Sequence, residues 1–475
     1  MMPAPTTAMV APARRAAFGI LRKVIRETGN SDALLNSPAL NELSVQDRKL
    51  CTTLVLGTLR WQRILDAECR RYLTRPGLVL PQDALLALRV GAYQLLFLDR
   101  IPAHAAIFES VEWSKHSDGA RQAGLVNAVL RKVAALSLQS KSSLHFSPEA
   151  AYPEWMVARW KSFYGSEACQ CICEQGQKVP RTALRLLTPE AEQTLRSQGV
   201  ALQPGTLLAK ARILLHEEQD LRDTSQTEPS EAMEPNANSR SALLENQAQV
   251  QIQDEGSQLV AELLGQGARI LDCCAAPGGK TAVLMQNNPD AQLLACDVHP
   301  TRLAVMRRRL AISHPAARVE FRSADAASLK GVGPFDRILC DVPCSGTGTL
   351  ARNPEIRHRL QPADLARQAE RQRAILANAL GLLAPGGRLL YSTCSLEPEE
   401  NQEVVEACLD SVENSDRAWN RLDLRQEFDR LELDGIVRGE SASTLRATGF
   451  REGYLRTLPG LHPCDGFFAA LIERR

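Results

Sequence analysis

The spacing of apolar positions changes part-way along the chain. Within residues 13–138 they recur every three or four residues, over 14–27, 45–68, 82–98 and 103–115, with Pro and Gly confined to the joints. That period predicts amphipathic helices and an all-α bundle over 1–140. Residues 141–216 are mixed: a helix over 147–163, then short strands at 181–187 and 209–216 flanking a helix near 189–198. A small α+β bridging or RNA-facing subdomain is expected there. Residues 217–246 are polar and aperiodic, with Pro229 and Pro235 among Ser and Asn, which predicts an exposed flexible insertion.

From residue 250 onward, apolar runs at 269–272, 292–297, 318–322, 337–341 and 388–394 alternate with helical runs such as 300–312 and 363–383. The alternation predicts a doubly wound, mostly parallel α/β sheet over 247–475, a Rossmann-like domain. Such sheets bind ligands beyond the carboxyl ends of their strands, and Asp272, Asp297, Asp325 and Asp341 fall at or just past those ends.

The first of these ends is the most telling. Asp272-Cys273-Cys274-Ala275-Ala276-Pro277-Gly278-Gly279-Lys280-Thr281 runs from an apolar strand through a small-residue turn into a helix, a junction suited to a nucleotide-like cofactor. A dinucleotide loop needs three spaced glycines, and here only Gly278 and Gly279 are present. A phosphate-binding loop of the Gly-x4-Gly-Lys-Thr kind fails because position 274 is Cys, so an ATPase is not expected. Asp297 is placed to accept from both ribose hydroxyls of a nucleoside, and Asp325 to hold an adenine amine; each alone also suits a helix cap or a solvated loop.

Composition adds three limits. With 475 residues, 44% of them apolar, two or three domains with full cores are expected. The net charge is +1, yet residues 1–140 carry 18 Lys and Arg against 11 Asp and Glu, which is +7 and leaves about −6 for the remainder. A basic bundle suits an anionic partner, and charge alone leaves nucleic acid and a docked protein both open. Thirteen cysteines, an odd number often ending strand-like runs, indicate reduced thiols and a cytoplasmic setting. No secretory leader is expected in 1–12, broken by Pro3, Pro5 and Pro12, and Arg89 and Asp99 interrupt the best candidate membrane span. The one-residue spacing of Cys169, Cys171 and Cys173 argues against a metal site. His104, after Pro102, reads as a helix-start packing or capping residue.

Two thiols begin loops at the ligand-bearing edge: Cys344, in Asp341-Val342-Pro343-Cys344-Ser345-Gly346-Thr347-Gly348-Thr349, and Cys394, in Ser392-Thr393-Cys394-Ser395. Cys273, Cys296 and Cys340 read instead as inert core thiols. A thiolate adding to carbon 6 of a cytosine makes carbon 5 nucleophilic enough to take a methyl group, after which a base removes the carbon-5 proton and the thiol leaves. Asp341 is placed to hydrogen-bond the N3 and amino edge of that base. Residue logic does not rank the two thiols.

Two resemblances sharpen this. Leu88–Ala106 and Gly124–Arg131 resemble the antitermination-factor NusB-like domain, an RNA-binding bundle. Asp272–Lys280, Asp341–Gly348, Ser392–Ser395 with Glu399-Glu400-Asn401, Leu458-Pro459-Gly460 and Asp465-Gly466-Phe467-Phe468 resemble the Nop2/Sun family of RNA 5-methylcytosine methyltransferases. The resemblance implies Cys394 as nucleophile and Cys344 as the thiol assisting product release, with Asp341 and Lys280 completing the catalytic group. It implies S-adenosylmethionine held by Cys274, Ala275, Ala276, Pro277, Gly278, Gly279, Lys280, Asp297, Asp325 and Asp341, and beside them the stretch Gln253–Gln258. Together the resemblances imply methylation of a cytosine in 16S ribosomal RNA that lies in a loop or is flipped out. Nothing in the sequence reads as a self-complementary coiled coil or an exposed apolar face, so a monomer is expected, and no metal is expected. A transfer RNA methyltransferase and a non-catalytic RNA-binding assembly factor are the alternatives. The chain departs from the family at Arg185-Leu186-Leu187, where Arg-Val-Asn is usual and an RNA contact is expected to be lost. It departs again at His358, which replaces an aromatic after Asn353-Pro354-Glu355-Ile356-Arg357.

Overall fold

The structure, a computed structural model, describes residues 10–475 except 27, 74, 76, 141–145, 216–236 and 413–418. Most of the insertion expected over 217–246 lies outside the described residues; its end forms a helix, Ala237–Glu245. The described chain divides into two compact units. One holds the residues up to Pro180 together with Leu350–Arg359; the other holds the rest.

The first unit is helical, with helices Pro12–Ile25, Val45–Arg70, Gln82–Phe97, Ala103–Lys115, Ala123–Ser140 and Glu154–Gln175. The four helices expected up to residue 115 appear within a few residues of their predicted bounds. Their apolar stripes meet in one core that includes Phe18, Leu21, Leu54, Leu88, Val90 and Leu130. Charges inside it are paired: Arg89 donates to both oxygens of Asp66 at 2.7 Å, and Arg14 reaches Glu109 at 2.9 Å. His104 is exposed on the first turn of its helix, which has no side-chain cap bond, so it neither packs nor caps.

Residues Leu350–Arg359 are bonded throughout to this unit. Glu355 accepts from the amide and hydroxyl of Ser31, both at 2.8 Å, and Arg60 donates to the Ala351 carbonyl at 2.8 Å. Arg359 donates to the carbonyls of Val24 and Gly29. Arg357 is fully buried, 4.1 Å over the Tyr152 ring, and donates to the carbonyls of Arg60, Gly176 and Leu350. His358 bonds the Leu59 carbonyl at 2.7 Å, and burial pushes its ring down to about 3, so it is a neutral donor there. The aromatic it replaces is thus replaced by a hydrogen bond.

The span 141–216 is shared between the units rather than forming one subdomain. Helix Glu154–Gln175 buries Met156, Trp160 and Ile172 in the first unit, whereas the strands after Pro180 belong to the second. Those strands, β1 (Ala183–Leu186), β2 (Leu202–Pro204) and β3 (Ala211–Leu214), join β4 (Val250–Ile252) in an antiparallel sheet of order β2-β3-β1-β4. Arg185 is not at the surface. It is buried on β1, bonding Glu262 and Gln286 at 2.7 Å each, and ties this sheet to the helices beneath the large one.

The large sheet carries the site. Strands β5 (Arg269–Asp272), β6 (Gln292–Asp297), β7 (Arg318–Ser323), β8 (Phe335–Asp341) and β9 (Leu383–Thr393) are parallel in the order β7-β6-β5-β8-β9. Strand β13 (Phe468–Arg474) then runs antiparallel to β9, followed by β12 (Tyr454–Arg456) and β11 (Phe450–Arg451), while β10 (Trp419–Leu422) pairs β13. The central strands β5 and β6 are buried on both faces, which is why they read as apolar runs, whereas the edge strand β7 is half exposed. Alternation along each strand sorts side chains into two cores: Ile270, Leu293, Leu339 and Leu390 on one face, Leu271, Leu294, Ile338 and Leu389 on the other. The order reverses between β5 and β8, which opens a crevice at the carboxyl ends of these two strands.

Candidate active site

Three loops meet at that edge. The first follows β5 into helix Gly279–Asn287. Gly278 has φ 101°, and a Cβ there would lie 2.7 Å from Met306 Cγ, so only glycine makes this turn against the neighbouring helix. Asp272, at the strand end, accepts from Thr281 Oγ1 at 2.6 Å, while its other oxygen is buried without a partner. Burial pushes its carboxyl up to about 7, against the Thr281 bond. An orphaned buried oxygen beside a turn of small residues fits a ligand that brings hydrogen-bond donors.

Asp297, at the end of β6, accepts from Ala276 N at 3.2 Å and His299 N at 2.8 Å, which fixes the second loop against the first. The carboxylate has lone pairs left for ligand hydroxyls. Asp325, past β7, is exposed and accepts from Ala327 N at 3.0 Å, the role of a turn cap. The stretch Gln253–Gln258 reaches this region from β4, where Gln251 donates to the Gly279 carbonyl at 3.1 Å. Asp254 caps the next helix, and Glu255 is buried, accepting from Thr206, Leu207 and Leu208.

The third loop follows β8 and carries Cys344; Asp341 ends β8, Lys280 lies on the first turn of helix Gly279–Asn287, and Cys394 directly follows β9. Lys280 Nζ is 2.7 Å from Asp341 Oδ2 and 5.1 Å from the centre of the Phe467 ring, and Asp341 Oδ1 accepts from Ser392 at 2.8 Å. Burial alone would push the Lys280 ammonium down; Asp341, Cys394 and Asp272 outweigh it and hold the group above its ordinary value. Cys344 Sγ and Cys394 Sγ are 3.4 Å apart, both half-buried. The hydrogen bond to Cys394 and then burial push the Cys344 thiol well up. Cys274 is also pushed well up, by burial and by the surrounding carboxylates, and stays a thiol.

The structure therefore brings Lys280, Asp341, Cys344 and Cys394 together, with Cys274–Gly279 and Asp297 on the adjoining loops. Asp325 stands apart as a turn residue. The thiol loops are laced by backbone: Gly348 N donates to the Cys394 carbonyl at 2.9 Å and the Gly348 carbonyl accepts from Gly466 N at 2.8 Å. A Cβ on Gly348 would lie 2.1 Å from the Gly466 oxygen, so this crossing requires glycine at 348. The sequence reading assigned nothing to Ser345, Ser395 or Gln372, and gave Glu400 and Asn401 no task. All five are buried around the two thiols, and the visible signal was that each reactive Cys is followed by Ser. Cys169 and Cys173 are buried in a helix, and among the described residues no group of three His, Cys, Asp or Glu is placed to hold a metal. No helix among them is long and apolar enough to cross a membrane.

Comparison with known proteins gives a consistent picture. Residues 263–473 match the family model described as 16S rRNA methyltransferase RsmB/F, and residues 11–135 match the NusB family. The probable ribosomal RNA small subunit methyltransferase B of Bacillus subtilis is 32% identical over 97% of this chain and 98% of its own length. Ribosomal RNA small subunit methyltransferase B of Pseudomonas putida is 36% identical over 79% of this chain and 85% of its own. Among solved structures, PH0851 superposes over 98% of this chain and 99% of its own with a TM-score of 0.73 at 21% identity, which is a likeness of fold.

Proposed function

The chain belongs to the ribosomal RNA small subunit methyltransferase B family, and from that premise we propose that it methylates carbon 5 of a cytosine in 16S ribosomal RNA through a covalent bond from Cys394 to carbon 6. The observation that carries the reading is the thiol pair at 3.4 Å beside the Lys280–Asp341 ion pair.

S-adenosylmethionine, held by Cys274–Lys280, Asp297 and Asp341 with Asp325 at the margin, supplies the methyl group when bound. The chain's own residues do the rest. Cys394 adds to carbon 6 as its thiolate, and the displaced electron pair makes carbon 5 the nucleophile. Asp341, an acceptor in its ion pair with Lys280, suits the exocyclic amine of a cytosine. Once Cys394 is a thioether, it no longer raises the Cys344 thiol, which then loses its proton to solvent more easily. Cys344 thiolate takes the carbon-5 proton as Cys394 leaves, restoring the ring. The +7 N-terminal bundle grips phosphates around the target.

The test is transfer of labelled methyl from S-adenosylmethionine to a protein-free 16S transcript. Wild type should form 5-methylcytosine, Cys394→Ala should form neither product nor adduct, and Cys344→Ala should accumulate a protein–RNA adduct. Absence of product with wild type on this RNA, with product on transfer RNA, would move the substrate and leave the chemistry standing.

A further inference from the structure

Two consecutive residues hold the backbone around the two thiols. Glu400 and Asn401 end a short turn, Pro398–Glu400, and are 0% and 2% exposed. Glu400 accepts from Ser345 N at 2.8 Å and from the hydroxyls of Ser345 and Ser395, and Gln372 Nε2 donates to it at 3.1 Å. The same Gln372 nitrogen donates to the Pro343 carbonyl at 2.9 Å. Cys344 lies between Pro343 and Ser345, so both peptide planes that flank its Cα are pinned, one by Gln372 and one by Glu400. Because a peptide plane is rigid, pinning both fixes the direction of the Cys344 side chain to within its rotamers.

Asn401 acts one step further out on the other side. Its Oδ1 accepts from Thr393 Oγ1 and its Nδ2 donates to the Ser395 carbonyl at 2.9 Å, which pins the residues before and after Cys394. Ser395 N in turn donates to Thr393 Oγ1 at 3.2 Å. The donors around Glu400 call for an acceptor-only group with several lone pairs, which a carboxylate is and an amide is not. Burying that carboxylate is costly, so it is a poor choice for a site that only needs filling.

We propose that Glu400 and Asn401 are positioning residues that divide the labour as the thiols do: Glu400, with Gln372, aims Cys344 for product release, and Asn401 aims Cys394 for attack. The inference rests on the two-thiol reading above.

The experiment compares full-length wild type, Glu400→Gln and Asn401→Ala, with Cys394→Ala and Cys344→Ala as controls, on the 16S transcript with labelled S-adenosylmethionine. It reads the first-turnover rate, the fraction trapped as adduct and the steady rate. Glu400→Gln should keep its first turnover and trap several-fold more adduct, with a steady rate about tenfold lower; Asn401→Ala should trap none and lose about ten- to a hundredfold in first turnover. A second measurement needs no RNA: oxidised glutathione takes two electrons from the thiol pair, giving a Cys344–Cys394 disulfide and two reduced glutathiones. Both variants should cross-link several-fold more slowly than wild type while melting within a few degrees of it. Equal loss of attack and release in both variants, with cross-linking at the wild-type rate, overturns the proposal. If the cysteine controls fail to separate attack from release, the two-thiol reading has failed instead, and the cross-linking rates alone decide whether Glu400 and Asn401 position the thiols.

Discussion

Two pairs of thiols in this molecule stand 3.4 Å apart, Cys344 with Cys394 and Cys273 with Cys340. The sulfur geometry does not distinguish them, so their surroundings must. Cys340 lies inside β8 and Cys273 directly after β5, both buried among Leu271, Leu294 and Ile338. The bond from Cys340 and then burial push the Cys273 thiol up, and burial pushes Cys340 up against that same bond. Four residues further along the chain from Cys340, Cys344 has left the strand for the ligand edge, and its partner Cys394 lies close enough to Lys280 to hold that ammonium up. What sets Cys344 and Cys394 apart is their place past the end of a strand next to a charge, not their pairing.

The comparison is broken most completely by Cys394→Ala, which should lower methyl transfer by at least about a thousandfold, measured as labelled methyl per enzyme. Cys344→Ala should allow one methylation and then stall, which a denaturing gel would show as protein-linked RNA. Oxidised glutathione should form the Cys344–Cys394 disulfide and leave Cys273 and Cys340 reduced in peptide maps. Removing Cys394 should also sharpen the contrast in pH dependence. The bond that raises Cys344 is gone in Cys394→Ala, so its thiolate appears at lower pH, and alkylation of Cys344 near pH 8 should be several-fold faster than in wild type. The smallest effect belongs to the inert pair: Cys340→Ala should cost about 1 kcal/mol of stability, read from denaturant midpoints, and leave methyl transfer unchanged.

Much of the catalytic half was legible in the sequence because its signals are local. The central parallel strands β5, β6 and β8 carry apolar runs with buried residues on both faces, and they fall within a few residues of the spans read from the pattern alone. The acids and thiols follow because a strand end is where such a run stops. What was missed depends on partners far away in sequence. Strand β13 is an apolar run like the others, yet its place beside β9 is set by pairing across about eighty residues, Phe468 with Thr393. Arg185 reads as a surface charge until Glu262 is brought to it. Asp325 follows its strand as the other acids do, but the turn it caps leaves it exposed. Glu400 was visible only as a letter after the thiol, since its meaning lies in four donors from three other segments.

The segment Leu350–Arg359 has a consequence for how the protein is made. A chain synthesised from its N-terminus presents the helices up to Pro180 well before the ten residues that bond to Ser31, Leu59, Arg60 and Tyr152. Leu350 follows Pro180 by 170 residues, a delay on the order of ten to thirty seconds at roughly 5–20 residues per second. Until then the nascent bundle lacks part of itself. A fragment cut at Pro180 inherits the same gap permanently, and the complementary fragment carries Arg357, a guanidinium shaped for burial, out into water.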